Sequence, residues 1–247
     1  MNTKRTFGWQ RLEALAPLLL FLLFGFTYNE IGQLAELRGL DYGPTLSTSL
    51  DAGVPLVPLM MLPYAVFWFL PLLAMGYLYW KRGWEPAPYR RIFVALAVLM
   101  LACSTLWVLV PVHVGLRADH AVLADHGILG RWISLTYLAA SEWNACPSFH
   151  VAGSWFLCRV VRLYLPHHTK LFPLVVTAII ASTVLIRIHY LADIVFGLAI
   201  SELVYRFVLH PMESRKALEH IPSARAAACS MGILAVGFAG YALLLGI

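Results

Sequence analysis

Charge is scarce in this sequence: 13% of its 247 residues are Asp, Glu, Lys or Arg, while 60% are hydrophobic. Soluble domains run near one quarter charged and one half apolar, and a soluble surface needs charge that is lacking here. Together with a mean hydropathy of +0.74, this excludes most soluble classes and places the chain in a bilayer. Cysteine is sparse as well. Cys103, Cys146, Cys158 and Cys229 show no metal-type pair spacing and no disulfide framework, and three of them lie in apolar runs. The outer histidines lack the His-x-x-x-His spacing of a helical zinc site, so no metal and no cofactor are expected. A net charge of +5 would suggest nucleic acid in a soluble protein; in a membrane chain basic residues set orientation instead. No nucleic-acid partner is expected, and no internal repeat or low-complexity tract stands out.

What is present is apolar length. A helix needs about 20 apolar residues to cross the hydrocarbon. Seven stretches approach or exceed that: 12–28, 54–80, 92–114, 147–165, 171–186, 190–209 and 226–247. The reading is an all-α polytopic membrane bundle of about seven transmembrane helices in one domain, 1–247. The first stretch follows Lys4, Arg5 and Arg11, but TYNEIGQLAELRG contains no small-residue cleavage site, which favours a retained signal anchor. With a cytoplasmic N-terminus, all basic residues except Arg38, Arg117, Arg131 and Arg187 fall inside, 14 of 18, which is the expected bias. Two outer segments, 29–53 and 115–146, are long enough to cap a site, with an interfacial helix expected around 31–37. For the first, an ordinary connecting loop is an equal reading.

Ionisable groups in membrane helices are costly and point to function. Three outer clusters hold them: Pro147-Ser148-Phe149-His150 opening the fourth helix, Arg187-Ile188-His189-Tyr190-Leu191-Ala192-Asp193 at the junction of the fifth and sixth, and PVHVGLRADH with His113, Arg117, Asp119 and His120. His189 and Asp193 are four apart and share a helix face, so the carboxylate can fix the imidazole tautomer and leave the other nitrogen basic. Alone, that pair reads by default as a structural hydrogen bond between neighbouring turns. Pro147 is expected at the first helical position, with Ser148 and His150 in the first turn. Helix N-termini bind anions, and the sixth helix begins near Tyr190, so two termini are expected to converge on one phosphate. Ser148 would donate a hydroxyl and Arg187 a planar fork. Helix capping by Ser148 and snorkelling by Arg187 are the competing readings. Arg117 and Arg131 suit either a substrate clamp or contact with lipid head groups.

PSFH followed some forty residues later by RIHYLAD resembles the second and third signatures of the type 2 phosphatidic acid phosphatase superfamily. LDAGVPLVPLMMLPY further resembles the branch of inositol phosphorylceramide synthases and related inositolphosphotransferases. The match runs from about residue 50 to 197. The resemblance implies a six-helix phosphatase core over about 50–210, with an extra C-terminal helix at about 226–247. It implies that His189 becomes phosphorylated, Asp193 is its partner, His150 protonates the leaving group, and Ser148 holds phosphate. The sequence departs from the pattern at Phe149, where glycine is usual, and at Thr183, where arginine is usual, though Ser182 keeps the serine. Arg187 is the candidate replacement guanidinium. The first signature is not recognisable; PVHVGLR aligns with a looser Pro-rich form, which makes Arg117 a candidate phosphate ligand.

The expected function is a metal-independent lipid phosphatase working through phosphohistidine at the extracytoplasmic face of a plasma membrane, the bacterial inner membrane being the expected setting. Phospholipid, sphingolipid or polyprenyl phosphate are the substrate classes. Transfer of a phosphoryl head group to a lipid or sugar hydroxyl is the alternative, and a catalytically silent scaffold a third. The lipid, the acceptor and the oligomeric state are not readable from the residues.

Overall fold

The computed structural model describes residues 19–25, 28, 30–34, 37–38, 45–83, 85–168 and 170–215. The helix expected over 226–247 lies outside them, as does much of the one over 12–28, of which residues 19–25 and 28 are helical. Residues 31–34 and 37, within the expected interfacial helix, are helical too.

Six longer helices organise the remainder. The first, α1, runs Pro58–Arg82 and the second, α2, Pro86–Leu109; both are long and apolar enough to cross a membrane. Then come α3 (Gly127–Ala139), α4 (Phe149–Tyr164), α5 (Leu171–Leu185) and α6 (Leu191–Val204). Among the described residues the secondary structure is helical, with one isolated bridge between Val112 and Asn144.

Prolines and glycines set the boundaries. Within α1, the tighter 3-10 turn Phe67–Phe69 stands two residues before Pro71, which has no N–H for the Phe67 carbonyl; the Leu70 amide serves that carbonyl instead. Gly83, at φ 71, ends α1 after Arg82. Helix α2 stops where Val110 takes an extended φ of -135 ahead of Pro111.

Helix α4 is the central element. Twelve of its sixteen residues are buried, and it packs against α1, α2, α5 and α6. Its approach to α6 depends on Gly197: a Cβ there would meet the Ser148 carbonyl at 2.8 Å and the Val151 Cβ at 2.9 Å. No side chain fits that crossing without pushing apart the two helices that carry the candidate site.

The segment 115–146 is more than a connection. It holds the short helix His120–Ala124, capped by Asp119, and the thirteen-residue α3. Ile133 and Tyr137, one turn apart on α3, are buried against Met61, Tyr64, Ile186 and Ile188. That fastens α3 to α1 and to the α5–α6 junction. A π turn, Tyr205–Leu209, and a last helical turn, His210–Ser214, follow α6.

Candidate active site

The α5–α6 junction is a tight, left-turning corner. Arg187 has φ 56, in the left-handed region, uncommon and costly for a residue with a Cβ. The Thr183 carbonyl accepts from both the Ile188 and His189 amides, at 3.1 and 3.2 Å, and so fixes the direction in which His189 leaves the corner. His189 Nδ1 then lies 3.1 Å from Asp193 Oδ2. A carboxylate only accepts, so Nδ1 carries the proton and Nε2 is left with its lone pair. The same Oδ2 accepts the Tyr190 amide at 2.9 Å. Both side chains are buried.

His150 comes from the first turn of α4, and its ring centroid is 5.9 Å from that of His189. Tyr64 stacks on it at 4.4 Å and Phe67 lies at 4.3 Å, both from α1. Among the described residues, neither ring nitrogen of His150 has a partner, although both are buried. A buried polar group without a partner is costly, which makes the two nitrogens candidates for binding a polar group.

Ser148 is the N-cap of α4 and accepts the Val151 amide at 3.4 Å. Pro147 therefore stands before the cap rather than at the first helical position, because the serine side chain satisfies an orphan amide that proline cannot. Capping uses the Ser148 oxygen as acceptor and leaves its hydrogen to donate, so the structural and phosphate-binding readings are compatible. The Ser148 amide donates to the Asp193 carbonyl at 3.4 Å, which ties the first turns of α4 and α6 together.

The expectation that two helix N-termini converge on one phosphate needs correction. At α6 the Leu191 amide donates to Asp51 Oδ1 at 2.7 Å, and the Tyr190 amide is taken by Asp193. Two carboxylates of the chain already lie against that positive pole, which leaves the α4 terminus as the candidate anion site.

The arginines differ. Arg187 Nη2 donates to the Val54 carbonyl at 3.1 Å, one of five donors, and the side chain is half-buried at the same corner as His189. Arg117 is committed to α3. Nη1 donates to the Tyr137 carbonyl at 2.6 Å and to Glu142 at 3.2 Å, and Nη2 to the Ala140 and Ser141 carbonyls at 2.8 and 3.1 Å. Burial lowers its pKa, the Glu142 carboxylate opposes that, and the guanidinium stays charged at neutral pH. These contacts serve orphan carbonyls at a helix C-terminus; the buried Nε alone lacks a partner among the described residues. Arg131 lies exposed on α3. His113 pairs with Glu142 at 3.1 Å and His120 with Ser134. No group of three or more potential metal ligands occurs among the described residues.

Comparison with family models matches the PAP2 superfamily over residues 29–207, most of the chain and all of the site just described. The chain belongs to the PAP2 superfamily. Membership carries phosphatase or phosphotransferase activity in general. No curated protein and no solved structure matched the chain.

For a PAP2 superfamily protein, the residue that sequence reading missed is Asp51. Besides the Leu191 amide it accepts the Thr48 amide at 2.7 Å and the Thr48 hydroxyl at 2.6 Å. Burial alone would raise its pKa, but the hydrogen bonds from Thr48 and Leu191 hold it below the ordinary carboxylate range. Thr48-Ser-Leu-Asp51 has capping-box spacing, the one local signal available. The reach of Asp51 to α6 had none.

Proposed function

We propose that this PAP2 superfamily protein is an integral membrane lipid phosphatase that hydrolyses a lipid phosphate ester through a phosphohistidine at the extracytoplasmic face. The observation carrying this reading is the His189–Asp193 pair, with Nε2 of His189 unencumbered and His150 facing it. The seven apolar stretches and the 14 to 4 basic asymmetry favour a seven-helix membrane topology with the site outside.

His189 Nε2 attacks phosphorus, the phosphorus–oxygen bond to the lipid breaks, and protonated His150 delivers its proton to the departing alkoxide. Neutral His150 then takes a proton from water, whose oxygen displaces His189 and releases inorganic phosphate. Asp193 stabilises the charge that develops on His189. Ser148 and the α4 N-terminus hold phosphoryl oxygens, with Arg187 supplying the cation. Arg117 joins them only through Nε.

The test is phosphate release from phosphatidate, phosphatidylglycerol phosphate, polyprenyl phosphates and phosphoinositides, with and without EDTA. Release unaffected by EDTA is expected; loss restored by magnesium or zinc would overturn the cationic clamp. Transfer to a hydroxyl is the second reading, favoured by the likeness of residues 50–64 to the inositolphosphotransferase branch. Adding ceramide or diacylglycerol separates it, because a phosphorylated acceptor then forms in place of free phosphate.

A further inference from the structure

A second charged cluster lies away from the catalytic residues. Glu202 on α6 is nine residues beyond Asp193, and Arg159 on α4 nine beyond His150, about 14 Å further along each helix. Glu202 accepts Arg206 Nε at 2.8 Å and Trp155 Nε1 at 3.3 Å. Arg159 Nε lies 3.4 Å from the same carboxylate, an ion pair without hydrogen-bond geometry, and its guanidinium covers the Tyr205 ring at 4.1 Å. These groups line one end of a groove of about 600 Å³ whose walls are Ile180 and Thr177 of α5 and Leu198 and Ala199 of α6.

The charges do not balance. Among the described residues, two guanidiniums that stay protonated share one carboxylate; Arg159 is part-buried and Arg206 exposed, so the cluster carries one surplus positive charge beside an apolar groove that the membrane reading sets against lipid. Beyond the described part, residues 226–247 carry no acidic side chain, and Glu219 is the one carboxylate side chain after residue 215.

We propose that this groove is a binding site for an anionic glycerophospholipid, its phosphate held by Arg159 and Arg206 and an acyl chain lying along Ile180 and Leu198. A phospholipid satisfies both halves: an anion for the surplus charge and a chain for the apolar wall. The inference rests on the membrane reading and not on the assignment of His189 and His150, so phosphatase turnover measured in parallel keeps the two separate.

The experiment uses the full chain in nanodiscs of phosphatidylcholine with or without one-third phosphatidylglycerol. It reads the thermal midpoint and, by native mass spectrometry, the lipid retained. The native protein is expected to gain several degrees with phosphatidylglycerol and to keep it bound. Arg206→Gln loses that increment, whereas Arg82→Gln, at the exposed Arg82–Glu85 pair, keeps it. Glu202→Gln removes the competing anion and retains phosphatidylglycerol at least as well. Equal behaviour of Arg206→Gln and Arg82→Gln, poorer retention by a folded Glu202→Gln protein, or the same increment from 10-fold molar excess inorganic phosphate without lipid would each overturn the proposal.

Discussion

Asp51 Oδ1 accepts the Leu191 amide at 2.7 Å, joining the segment before α1 to the first residue of α6, two positions after His189. With Arg187 donating to Val54 and the Val57 amide donating to Leu185 at 2.9 Å, it makes residues 48–57 a strap across the α5–α6 corner. Asp51→Ala leaves the Leu191 and Thr48 amides without their acceptor. The expected cost is about 1 to 2 kcal/mol of stability, the range of a lost cap, and roughly tenfold or more in kcat through displacement of His189. Asp51→Asn should recover part of both. The sign for pH follows from the lowered folded pKa: this contribution is present above the ordinary carboxylate pKa of about 4 and is lost only as pH falls through the lower folded value. Acid titration of the two variants against the parent checks it; equal acid stability would remove Asp51 from the strap.

Arg187 combines a left-handed backbone with a candidate phosphate ligand, and Arg187→Gly separates the two. Glycine relieves the strained φ, worth about 1 kcal/mol, and loses the hydrogen bond to Val54, worth about as much. Stability should change by less than about 1 kcal/mol while kcat/KM falls at least about tenfold, as expected when a charge-assisted hydrogen bond is lost. Unchanged kcat/KM would leave Arg187 as an anchor for Val54 alone.

His189 and His150 should fail differently. His189→Ala removes the attacking nitrogen and should abolish both turnover and any acid-labile phosphoenzyme. His150→Ala removes the proton donor, so p-nitrophenyl phosphate, whose leaving group needs no proton, should still label His189 where it is accepted. Rapid-quench trapping with labelled phosphate compares them. A labelled His189→Ala protein beside an unlabelled His150→Ala protein would reverse the roles.

Topology can be read with thiol reagents, but not from Cys146. Burial, with the Asp193 carboxylate adding to it, pushes that thiol up to about 12, so little thiolate is available at neutral pH. Ile128, exposed at the start of α3, is the better position. In a protein without its native cysteines, Ile128→Cys should react with an impermeant maleimide in intact cells, and Lys81→Cys only after permeabilisation. The reverse pattern would put the site on the cytoplasmic side.

Much of this protein was legible in its residues because the controlling effects are local. Apolar runs gave α1, α4 and α5 nearly their observed limits, and the i, i+4 spacing of His189 and Asp193 foretold their contact, although His189 stands one residue before the Tyr190 N-cap rather than on a helix face, and Asp193 at the third helical position reaches back to it. The capping of α4 by Ser148 was likewise written in its type and place. The segment 115–146 is long enough in sequence to cap a site, but helix α3 within it was not legible, since its exposed face is nearly as apolar as its buried one and gives no clear periodicity. Contacts between residues distant in sequence left no trace in composition or spacing: Asp51 to Leu191, 140 apart, and Arg117 gathering the carbonyls at the end of α3. Only the packing of the helices decided that Asp51 would join Asp193 at the α6 terminus and that Arg117 would be spent on backbone, because orphan amides and carbonyls take whichever charged side chain the tertiary fold brings within reach.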